Sequence, residues 1–180
     1  MSSLAAVTSL LATSVQVPDK LSFYNLVVFL HITAAVVGFG AIFAYPVFYR
    51  VGMAREPRGL PLFHSVQQFI GARFITGGLA MLLATGIYMV LAGVYDFGDT
   101  FVGVGIVIVI VLGALGGVYF SRKEARLQAL AERDVAAARG GKVTLSREYV
   151  DLARQVELMT FVGAGLVLVA VLVMVFKPGV

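Results

Sequence analysis

Cysteine and tryptophan are both missing from this 180-residue sequence, histidine occurs only twice, and charged residues make up just 13% of it. The lack of cysteine excludes disulfides, thiolate-ligated haem, iron–sulfur clusters and Cys-type zinc sites, and leaves the redox compartment undetermined. His31 and His64 are then the strong metal ligands that remain. No complete catalytic motif is present, so the sequence assigns no enzymatic activity. What fills the chain is apolar: 59% of its residues are hydrophobic and the mean hydropathy is +0.94. A water-soluble domain of this length does not carry such a composition, and a single all-α membrane domain over residues 1–180 is expected.

Four apolar stretches are long enough to cross about 30 Å of hydrocarbon, which takes roughly 20 helical residues. They run from about Leu26 to Phe48, Phe74 to Tyr95, Phe101 to Phe120 and Leu158 to Phe176. The third is rich in β-branched residues, yet an unbroken apolar run of that length belongs in a membrane helix. Twelve of the 14 basic residues fall in two connections: Arg50, Arg55, Arg58 and Arg73 between the first and second spans, and eight more between the third and fourth. The positive-inside rule makes those connections cytoplasmic and puts both termini outside. Tyr24 and Tyr95 on the outer side, and Tyr49 and Tyr119 on the inner, stand where an aromatic belt is needed. The net charge of +4 is thus a topology signal of a bacterial inner-membrane protein, without a role for nucleic acid.

The first 17 residues lack a positive n-region and precede Pro18, so they read as an interfacial helix or loose segment rather than a cleaved signal peptide. The stretch from Leu60 to Ala72, which includes His64, Gln67 and Gln68, either lies at the inner interface or lengthens the second span. Between spans three and four, residues 121–157 suggest two helices broken at Gly140 and Gly141, the second beginning near Thr144 or Ser146. Running straight out of the bilayer, they would pair as an antiparallel cytoplasmic hairpin with a solvated, mixed-charge surface.

His31 is the residue that invites chemistry. It lies roughly 8 Å below the outer edge of the hydrocarbon, where an ionisable side chain needs a partner. Ala34, Ala35 and Gly38 share its helix face and leave a shallow groove, which would admit a flat porphyrin or the close approach of another helix. Two readings follow: His31 ligates b-type haem or copper, or it is a neutral histidine bonded across helices to Tyr88 or Thr85. For ligation, Met89 matches His31 in depth as a second ligand and Met174 comes next. Tyr24, Asn25 and Lys20 are placed for haem propionates, whereas Arg73 is about 20 Å away across the bilayer. The spans contain no Asp, Glu or Lys, which argues against a transporter acting alone. Gly113 and Gly117 form a small-xxx-small pair suited to close packing or a homodimer face. Pro46 should kink the first span.

Three segments carry a resemblance: LVVFLHITAAVVGFGAIFAYPVFYR, IGARFITGGLAMLLATGIYMVLAGVYDFG and LVLVAVLVMVFKPG. Together they resemble a bacterial family of predicted integral membrane proteins classed as a domain of unknown function. More distantly, His31 followed by Gly38 and Pro46 is similar to the first span of the copper-resistance D superfamily and the haem-containing membrane protoporphyrinogen oxidases. That likeness implies His31 as a haem or copper ligand. The further buried basic or histidine positions of an oxidase site are absent, so its activity is not carried over. The functional expectations are a small redox-accessory protein holding haem or copper, a cofactor-free structural or assembly subunit of a membrane complex, or a transport accessory.

Overall fold

A computed structural model of the chain describes residues 23–93 and 95–179. The reading of the first 17 residues, and Lys20, lie outside the described residues. Among those residues every regular element is helical. Helix α1 spans Phe23–Arg55; a 3₁₀ turn at Pro57–Gly59 leads to α2, Leu60–Ile70; a π turn at Gly71–Ile75 joins it to α3, Thr76–Leu91. Helix α4, Thr100–Ala114, passes through a second π turn at Leu115–Phe120 into α5, Ser121–Ala137, and α6 is Arg147–Phe176.

These elements form four rods of 33, 35, 38 and 30 residues, Phe23–Arg55, Pro57–Leu91, Thr100–Ala137 and Arg147–Phe176, with mean hydropathies of 2.4, 1.9, 2.7 and 2.7 over their most apolar windows. The all-α, four-helix membrane architecture read from the sequence is the one observed. The longest rod extends about 57 Å at 1.5 Å per residue, nearly twice the hydrocarbon thickness. The rods project from one end of the bundle, the end that carries most of the basic residues.

In that projection the hairpin of α5 and α6 is joined by a third helix, α2, to make a three-helix head. Helix α5 packs more extensively on α2 than on α6, so the Leu60–Ile70 stretch continues the second span and walls the head. The two π turns sit where the spans enter the head. Each adds a residue to a turn and rotates the following face by about 100°, which lets α2 and α5 meet although α3 and α4 touch only lightly. Beyond α5 the chain reverses at Gly140, whose φ of +88° favours glycine. Ser146 then caps α6, its Oγ accepting from the Tyr149 amide at 3.3 Å.

Two cores result. In the spans, Ala34, Phe39, Leu82, Ile108, Leu112 and Val167 meet, while Phe29, Val36 and Phe43 face outward into lipid. In the head, Tyr49, Leu60, Leu127, Tyr149, Leu152 and Val156 lead a second cluster. The largest fully enclosed side chains, Tyr149, Leu60, Leu127 and His64, all belong to the head. Lipid offers no hydrophobic force between helices, so dense burial is concentrated where the rods leave it.

Candidate functional site

The His31 region is a junction between α1 and α3. Thr85 donates its hydroxyl to the Met81 carbonyl at 2.6 Å, so its oxygen accepts from His31 Nδ1 at 2.8 Å. Nδ1 is then the donating nitrogen, and in the neutral ring Nε2 carries the lone pair. Seven residues further along α1, Gly38 meets Gly78, seven residues back along α3. A Cβ on Gly78 would lie 2.9 Å from Gly38 Cα and 3.1 Å from the Ala34 carbonyl. The groove beside His31 is thus filled by the backbone of α3. Gly86 lies beside the imidazole edge, its Cβ position being 3.5 Å from His31 Cε1, an ordinary van der Waals distance.

The other residues proposed for this site are dispersed. Met89 is one turn beyond Thr85, so the antiparallel register carries it to the level of Val27, about 6 Å outward of His31. Met174 packs its methyl group on Gly105 of α4. Tyr24 lies against Tyr95, which receives Lys177 from the end of α6, and Asn25 in the same first turn has an interaction of its own. Among the described residues no group of three or more His, Cys, Asp or Glu side chains is arranged to hold a metal ion. Where Gly38 meets Gly78 the backbones already touch, which leaves no room for a porphyrin between α1 and α3 at that level.

The second polar site was not anticipated as one. In the head, His64 of α2 is 1% exposed and bonded at both ring nitrogens: Nδ1 to Glu124 Oε2 of α5 at 2.8 Å, and Nε2 to the Tyr149 hydroxyl of α6 at 2.9 Å. Gln67, one turn along α2, donates to Glu124 Oε1 at 3.1 Å. Gln68 donates to Gln128 of α5 at 2.7 Å. Each head helix therefore contributes a polar residue to one network. Glu124, itself 4% exposed, is a carboxylate whose burial is tolerable only with such partners; losing one partner of a buried pair costs about 3–5 kcal/mol. Inner-end residues of α1 complete the shell, with the Tyr49 ring stacked on Tyr149 at 6.3 Å.

His64 and Tyr149 are both fully buried, and the cluster ties α2, α5 and α6 together. Around it, Arg50 pairs with Glu157, Arg126 and Arg133 pair with Glu148, and Arg58 donates to the Gly141 carbonyl at the reversal. Asp134 is held by the Ser146 amide at 2.7 Å and by Arg133 at 3.2 Å. Burial raises its carboxyl pKa, but these bonds outweigh that effect and hold it below the usual carboxylate range.

The sequence contained a partial signal for this network: His64, Gln67 and Gln68 stand at helical spacing on one side of an otherwise apolar stretch, a face that needs polar company. No curated protein and no solved structure matches this chain. Residues 25–178 match a family model described as predicted integral membrane protein (DUF2269), and with nearly the whole chain covered, the protein belongs to that family.

Proposed function

We propose that this chain is a cofactor-free structural or assembly subunit of a bacterial inner-membrane complex, presenting its three-helix head on the cytoplasmic side. The observation that carries this reading is the Gly38–Gly78 backbone contact. The small-residue face that would have admitted a porphyrin is spent on joining α1 to α3, and His31 is spent on the same joint through Thr85. A polar residue bonded across helices in this way contributes about 0.6 kcal/mol, up to about 2, within a membrane. The head, fastened by a buried polar network and ringed with arginine–carboxylate pairs, supplies a rigid surface outside the lipid.

One observation favours the second reading, ligation of haem or copper by His31: the Nδ1–H tautomer leaves Nε2 unprotonated, as a metal ligand requires. The two readings separate in one preparation. Purified in mild detergent, a cofactor-free subunit is colourless and metal-free, and in gently solubilised native membranes it migrates within a complex larger than the purified protein. A Soret band or stoichiometric copper, lost in His31→Ala, overturns the first reading and establishes the second.

A further inference from the structure

Two phenols at the inner end of α1 are buried without a hydrogen bond of ordinary geometry. Tyr45 is 9% exposed and Tyr49 is 7% exposed; the Tyr49 hydroxyl interacts with that of Tyr149 beyond normal bonding geometry, and the Tyr45 hydroxyl has no bond among the described residues. Leaving such a group buried and unsatisfied is unfavourable. Both residues line a partly open pocket with room of about 20 Å³ for water, together with Glu124, Glu157 and Thr160. A single water needs about 10–15 Å³ of such space, so the pocket has room for one.

The chemistry of the lining selects the guest. The Thr160 hydroxyl hydrogen is spent on the Val156 carbonyl at 2.9 Å, which leaves its oxygen able only to accept. Glu124 takes His64 on one oxygen and Gln67 on the other, and each oxygen retains a lone pair. Glu157 receives Arg50 on Oε1, leaving Oε2. Both ring nitrogens of His64 are occupied. The cavity therefore presents two free donors, the Tyr45 and Tyr49 O–H groups, facing several acceptors, which is the complement of a molecule that accepts twice and donates twice.

We propose that this cavity is a binding site for one buried water molecule, which accepts from Tyr45 and Tyr49 and donates to the carboxylate side of the lining. The water joins the inner end of α1 to α5 and α6, and extends the His64–Glu124 network to the first membrane span. This goes beyond the subunit reading and does not depend on it.

The test uses the full chain in detergent micelles or bilayers. In the wild type, water–protein cross-relaxation NMR should find a long-lived water at the Tyr45 and Tyr49 rings. The double variant Tyr45→Phe/Tyr49→Phe should lose that signal and melt at a lower temperature, because hydrogen bonds are removed. In a dry cavity the same variant removes two unsatisfied groups, and its melting temperature stays the same or rises. Absence of the water signal from the wild type, or an unchanged or raised melting temperature in the variant, overturns the proposal. If the variant does not fold, the wild-type signal decides alone.

Discussion

Adding one methyl group at Gly78 should loosen the membrane bundle, while the same change one residue earlier should not. The Cβ of Gly78→Ala would stand 2.9 Å from Gly38 Cα and 3.1 Å from the Ala34 carbonyl, both of them backbone atoms that cannot swing aside. Restoring ordinary contact requires α1 and α3 to part by about 0.5–1 Å, which forfeits a quarter to a half of the dispersion wells along the joint. The same movement stretches the 2.8 Å His31–Thr85 bond, worth about 1 kcal/mol. The combined loss is about 2 kcal/mol, and the better helix propensity of alanine returns about 1 kcal/mol of it. Gly77 has nothing within 4 Å of its Cβ position, so Gly77→Ala keeps the propensity gain alone. The variants should differ by about 2 kcal/mol, or roughly 6 °C for a chain of this size, with Gly77→Ala the more stable. Thermal unfolding of both proteins in one detergent, followed by circular dichroism, measures the gap. Equal melting temperatures, or a more stable Gly78→Ala, would refute the α1–α3 register and the reading of His31 built on it.

Two further outcomes follow from the charges. Because the chain has no cysteine, Lys177→Cys and Arg133→Cys each give a single labelling site: an impermeant maleimide should modify the first in intact spheroplasts and the second only after permeabilisation, and modification of both in intact cells would reverse or abolish the assigned orientation. Asp134 has a lowered folded pKa, so its stabilising contribution is complete above the ordinary carboxylate value near 4 and is lost as the pH falls through its lower folded value; Asp134→Asn should therefore show a shallower loss of melting temperature below about pH 4, and parallel acid limbs would remove the role given to its bonds with Ser146 and Arg133.

What was legible in the sequence was whatever the lipid imposes locally. A span must be apolar over its whole length, and an imidazole inside one must find a partner in a neighbouring helix. Those two demands were enough to identify the four rods and to narrow the partner of His31 to Tyr88 or Thr85, of which the fold uses Thr85. The head was less legible because its contacts are distant in sequence: His64 meets Glu124 across 60 residues and Tyr149 across 85. Glu124 stands among Arg122, Lys123 and Arg126, and in sequence it reads as one more solvated charge. Tyr149 shares helical spacing with Leu145, Leu152 and Val156 and reads as packing, which it also is. The two π turns leave no mark on the apolar pattern, yet they turn α2 toward α5 and so bring the histidine to the carboxylate.

The same physics explains why the polar network lies where it does. Inside the bilayer the helices gain little by excluding apolar surface from one another, so small residues and single hydrogen bonds suffice to set their register. In the head, water competes for every polar group, and its helices, with 14 of the chain's charged residues lying between Ser121 and Glu157, need a specific reason to adopt one arrangement. An apolar seam alone tolerates sliding, whereas a histidine bonded at both nitrogens to two different helices does not. Shifting α2 by one residue would rotate His64 about 100° away from Glu124 and leave a buried carboxylate without its principal partner. The network thus fixes the register of the head, and the Tyr49 ring, stacked on Tyr149, packs the inner end of the first span against it.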